Sequence, residues 1–133
     1  MLVMADNDAV GAVAVLRRIL ESADNADWLE ILGVEFTDFE SLGLPRDAAD
    51  RVVWQTCQAA DVVLITGNRS GGPDSLEQVI QELSNETSLP VLTIADRRRI
   101  THDSAYANEI ALRLLDFLER IESLRGTGRL FLS

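Results

Sequence analysis

Two apolar runs in this sequence end in polar residues suited to cation and phosphate chemistry. Leu2-Val-Met-Ala gives way to Asp6-Asn7-Asp8, and Val62-Val-Leu-Ile gives way to Thr66-Gly67-Asn68-Arg69. Asp50 falls in the first turn of the helix expected before the second run. Asp74 falls at the start of the helix expected after it. Oxygen ligands of this kind suit a hard cation such as Mg²⁺ or Mn²⁺. Such an ion lowers the pKa of a bound water and holds a phosphodiester in line with it. Asp6, Asp50 and Asp74 are therefore the candidate metal ligands. Asn68 joins them as a catalytic candidate, and Thr66 and Arg69 are candidates for substrate binding.

Each residue also has an ordinary structural role open to it. Asp6 could be a turn residue after a strand. Asp8 suits a helix N-cap. Asp47 and Asp50 are spaced like a capping box, and so are Asp74 and Glu77. His102, the single histidine, reads as a surface residue near a helix start. Cys57 falls on an apolar helix face and reads as core. Arg97-Arg98-Arg99 could grip a phosphate, but a solvated or salt-bridging loop is the simpler expectation. Trp28 and Trp54 read as packing residues.

The elements needed to position these groups follow from the apolar pattern. Leu2–Ala5, Val34–Thr37, Val62–Ile65 and Val91–Ile94 are strand-like, and Leu130–Leu132 is either an edge strand or a docking tail. Val10, Val13, Leu16 and Leu20 recur at helical spacing. A short helix around Trp28 stops near Gly33, and another begins at Asp47 and carries Val53 and Cys57 inward. Leu76, Val79, Ile80 and Leu83 mark the next. Ile110, Leu114, Phe117, Leu118, Ile121 and Leu124 form one long stripe, predicting a C-terminal helix over 103–125 and a tail over 126–133. Alternating strands and helices imply a single domain over 1–133: a three-layer α/β/α arrangement with a mainly parallel sheet of four to five strands. In such sheets the binding crevice lies beyond the carboxyl ends of the strands.

Composition narrows the chemistry. The chain has 133 residues, 47% of them apolar, and a formal net charge of −10. That acidity repels nucleic acid at long range, although bound cations would reverse the sign locally. All 12 basic Lys/Arg positions are arginine, which excludes lysine nucleophiles and Schiff bases. One cysteine allows no internal disulfide. Met1–Asp6 is too short an apolar run for a signal or membrane segment, so the expected location is cytoplasmic, with no membrane partner.

Taken in order, three stretches resemble the short bacterial PIN-like nuclease domains of the toxin–antitoxin and ribonuclease type. They are Leu2–Asp8, Leu42–Trp54 and Val62–Ser70, and the resemblance covers about residues 1–95. It implies metal-dependent cleavage of RNA by acidic residues holding Mg²⁺ or Mn²⁺, with Asp6 and Asp50 matching the pattern. A protein partner such as an antitoxin and a homodimer are also compatible with it. Asn68 stands where the pattern usually has Asp, and Ser70 where it often has a second; Asp74 could supply the missing charge. This departure keeps open a slow or inactive relative that binds protein or RNA without cutting it. A third reading is a phosphatase of the haloacid dehalogenase type, with Asp6-Asn-Asp8 as nucleophile motif and Thr66 as second motif. The absence of lysine weighs against it.

Overall fold

A computed structural model of the chain describes residues 1–22 and 24–133. Among these residues, one or two helices separate each strand from the next, giving five strands and six helices: β1 (Leu2–Ala5), α1 (Val10–Leu20), α2 (Ala26–Leu32), β2 (Glu35–Thr37), α3 (Asp50–Ala59), β3 (Val62–Thr66), α4 (Leu76–Leu83), β4 (Val91–Thr93), α5 (Arg97–His102), α6 (Ser104–Glu119) and β5 (Arg129–Phe131). The strands form one sheet in the order β2-β1-β3-β4-β5, and every neighbouring pair is parallel. The α/β reading of the sequence therefore holds, and Leu130 lies in an edge strand.

The alternation along β3 divides the core. Val63 and Ile65 face a cluster with Leu16, Leu92, Ile110 and Leu114, whereas Val62 and Leu64 face one with Met4, Val53, Cys57 and Val79. Successive strand side chains point to opposite faces, so the sheet separates α1, α5 and α6 on one side from α3 and α4 on the other. β3 is buried over its whole length, which accounts for its unbroken apolar run. Its central place fixes the height at which the chain emerges at Thr66.

Local chemistry sets several boundaries differently from the sequence expectation. Arg97–Arg99 are helical in α5, not a loop; Asp96 caps them, accepting from Arg99 N at 3.2 Å. A separate cap, Asp103, then starts α6 by accepting from Tyr106 N. The expected 103–125 helix is thus α6 followed by a 3₁₀ turn at Ile121–Leu124. α3 begins at Asp50 rather than Asp47, and its N-cap Ala49 offers no side-chain bond, so no capping box forms there. Asp74 is not the cap of α4 either. Ser75 is, accepting from Gln78 N at 3.1 Å. Trp54 is core, but Trp28 remains 48% exposed and is not a packing residue.

Candidate functional site

The strand order changes direction between β1 and β3: from β1 the chain crosses to β2 on one side, and β3 lies on the other. A crevice opens at the carboxyl ends of such a strand pair. The β1–β3 register runs from Leu2↔Val62 to Ala5↔Ile65 and brings Asp6 and Thr66 to the same end of the sheet. Asp6 N donates to Ile65 O at 2.8 Å, holding the two strands together just beyond the last register pair.

Thr66 organises what lies above. Its hydroxyl donates to Asp6 Oδ2 at 2.8 Å and accepts from Asn68 N at 3.0 Å. Asp6 Oδ1 accepts from Asn7 N at 2.8 Å, so Asp6 is both a turn cap and a member of the cluster. Asp8 lies in the 3₁₀ turn Asn7–Ala9. Its Oδ1 accepts from Gly67 N at 3.1 Å, and its carbonyl accepts from Arg97 Nη1 at 2.6 Å. Asp8 is thus no helix N-cap; it is a strut between β1, β3 and α5.

Asp50 reaches the same place from α3. Asn68 Nδ2 donates to Asp50 Oδ2 at 3.3 Å, while Asn68 Oδ1 accepts from Ser70 N at 3.0 Å. Asn68 therefore stands at the same sheet end as Asp6, as the sequence predicts. Burial holds the Asp6 carboxyl above its ordinary value, and the charges of Asp8 and Asp50 push it further the same way. The bonds from Thr66 and Asn7 oppose them. The crevice consequently carries a concentrated negative field. Cys57 lies below it, buried, with its thiol pushed up to about 12 by burial and by Asp6.

Asp74 stands outside this network. It is exposed, has a left-handed backbone (φ 62°), and its N–H donates to Gln78 Oε1. Among the described residues, no group of three or more His, Cys, Asp or Glu side chains is placed to hold a metal ion. His102 is exposed, as expected; it closes α5 just before Asp103, the N-cap of α6.

Two arginines complete the cluster. Arg97 belongs to the run for which a salt bridge is the simpler expectation, and it pairs with Asp8 Oδ2 at 3.5 Å; only the partner, 89 positions away, escapes sequence reasoning. Arg129 opens β5, and its Nη1 donates to Asn68 O at 2.9 Å and to Thr93 Oγ1 at 2.7 Å, while Nε donates to Glu77 Oε2 at 2.9 Å. No local pattern marks Arg129. Clefts flank the cluster on both sides. One of about 450 Å³ is lined by Asn7, Asp38, Glu40, Leu44 and Arg46. Another of about 410 Å³ lies against Arg69, Glu77, Arg129 and Phe131.

Comparison with models of known protein families, with curated proteins and with solved structures finds no match. Among the described residues no helix is long and apolar enough to cross a membrane.

Proposed function

We propose that the chain is a divalent-cation-dependent hydrolase of RNA phosphodiesters, of the PIN-like kind, acting at the β1–β3 crevice. The observation that carries the reading is the gathering of Asp6 and Asp50, from separate elements, around Thr66 and Asn68.

The residues fit a hard cation. The carboxylates of Asp6 and Asp50 offer it oxygen ligands, and the crowding of Asp6 by Asp8 and Asp50 is the field that a cation relieves. Mg²⁺ commonly uses one or two carboxylates, keeping waters and substrate phosphate as its other ligands. Asp6 and Asp50 suffice for that, so Asp74 is not required. A Mg²⁺ or Mn²⁺ ion held there would supply a water of lowered pKa and a counter-charge for the phosphodiester.

The chain's own groups do the positioning. Thr66 fixes the rotamer of Asp6 through its 2.8 Å bond. Asp8, spanned by Gly67 N and Arg97, fixes the turn that carries Asp6. Arg69, exposed beside Asn68, is free to meet a phosphate.

One observation favours a second reading, a non-cutting binding module. The Asn68 amide already donates to Asp50 and so partly compensates its charge without any ion. Cleavage of a single-stranded RNA with Mn²⁺, by the parent and by Asp6→Asn, separates the two. The hydrolase reading expects cleavage in the parent and a loss of about a hundredfold or more in the variant, the range expected when a group acting on transition-state charge is removed. Equal rates in both proteins, or no Mn²⁺-dependent cleavage in either, would sink it.

A further inference from the structure

We propose that the cleft between β5 and α4 seats one nucleotide of a single-stranded RNA, with Arg69 on its phosphate and Phe131 against its base. The choice of RNA as occupant rests on the hydrolase reading above. The cleft itself stands on separate observations.

The first is the face that β5 presents. Leu130 and Leu132 turn into the core shared with α1 and α6. Strand alternation therefore sends Arg129 and Phe131 to the other face, where Glu77 and Ile80 of α4 line the same cleft. Arg129 is covered there, but Phe131 is left 49% exposed at the sheet edge. An aromatic ring beside a polar cleft is a stacking platform, and such stacking tolerates every base.

The second is charge. Arg69 lines the cleft and, among the described residues, makes no ion pair, whereas Arg97, Arg125 and Arg129 all do. Glu77 adds little negative charge to the opening, because Arg129 Nε neutralises it at 2.9 Å. In a chain of net charge −10 this cleft offers an uncompensated cation.

The third is an unfilled donor. The Arg129 side chain is only 9% exposed, and its Nη2 is buried with no hydrogen-bond partner. A buried donor without an acceptor is costly. An anion held by Arg69 above this floor brings acceptor oxygens towards a guanidinium that lacks one. The same guanidinium holds Asn68 O at 2.9 Å, so the cleft adjoins the acidic cluster through one side chain. A strand with a nucleotide here would lead directly to the crevice.

The test measures binding, not cutting. A fluorescein-labelled heptauridylate is titrated with the whole chain in EDTA at several salt concentrations. The proposal expects Phe131→Ala to weaken binding roughly tenfold, as for loss of one stacked base. It expects Arg69→Gln to weaken binding and to lower the slope of log affinity against log salt by about 0.7, as for loss of one phosphate contact on a single strand. Arg98→Gln, away from this cleft, serves as control and should match the parent. Parent-like affinity in both cleft variants, or no binding by the parent, overturns the proposal. Cleft-dependent binding with no Mn²⁺-dependent cleavage would retire the hydrolase reading and leave the nucleotide site standing.

Discussion

Gly67 and Arg97 are packed so closely that no side chain fits between them. A Cβ placed on Gly67 would lie 2.4 Å from Arg97 Cδ and 2.6 Å from its Nε. The arginine lies over the glycine and from there reaches Asp8 O. Gly67 thus has a reason that is not conformational freedom: it leaves room for a guanidinium arriving from α5.

Gly67→Ala should therefore act through Arg97. The obstructing atoms belong to a flexible side chain, so the arginine should swing away and its contacts with Asp8 should be lost. The pair is partly exposed, which limits the cost to about 1 kcal/mol. In an Arg97→Ala background the same substitution should cost almost nothing. Urea unfolding of the two single variants and the double variant measures the coupling; additive costs would show that the contact carries no energy.

Asp6 gives stability a distinctive pH dependence. Its carboxyl is held above the ordinary value of 3.8, first by burial. Between that value and the raised one, the folded chain keeps a proton that the unfolded chain has released. Stability from this group therefore falls as pH rises through the window. Asp38, Asp103 and Glu122 have lowered values, set by bonds from Ser41, Tyr106 and Arg125, and slope the opposite way. They do so equally in parent and variant. Without divalent metal, Asp6→Asn should melt above the parent at pH 7, and the gap should close on acidification below 3.8. A variant less stable at pH 7 would mean that the Thr66 bond outweighs burial.

Arg129 joins the last strand to the site loop. Its replacement by Gln removes the donors serving Glu77, Asn68 O and Thr93 Oγ1. Breaking a fully buried pair costs about 3–5 kcal/mol. Glu77 is 40% exposed and can recover water, so a loss of about 2 kcal/mol is expected. Amide exchange at Asn68 and Arg69 should also quicken more than at Val63 in the centre of β3. Uniform quickening across the sheet would show a general loss of stability with no particular hold on the loop.

The parts of this architecture that were legible in the sequence are those written in contiguous residues. Leu2–Ala5 and Val62–Ile65 announce buried strands, and the polar residue after each had to emerge at a strand end. Parallel pairing then placed Asp6 beside Thr66. The helix of Arg97–Arg99 was illegible because Ile100 alone in α5 is buried, too few apolar positions to show a period. Ser75 displaced Asp74 as cap because Asp74 takes a positive φ that turns the chain before α4 begins. Arg97 on Asp8 and Arg129 on Asn68 depend on the packing of distant elements, which no local spacing encodes.

The separation of Asn68 from Asp50 makes residue 68 the sharpest test of a cation at this crevice. The amide Nδ2 donates to Asp50 Oδ2 at 3.3 Å. In Asn68→Asp two carboxylates would face each other there. At about 4 Å and an effective dielectric of about 20, one pair of like unit charges repels by roughly 4 kcal/mol. Water at this partly buried site screens it, so a metal-free loss of about 1–2 kcal/mol is expected. A divalent cation reverses the sign, because the new carboxylate offers a full charge where the amide offered a neutral carbonyl. Affinity for Mn²⁺ should rise roughly tenfold, equivalent to about 1.4 kcal/mol. The variant should then melt below the parent in EDTA and gain more on Mn²⁺ addition, since a ligand bound only to the folded state stabilises it by mass action. Calorimetric titration with Mn²⁺ gives the affinity directly, and thermal melts across the same titration give the shifts. Identical shifts in both proteins would place no cation beside residue 68 and would leave the Asn68–Asp50 bond as a structural tie in a binding module.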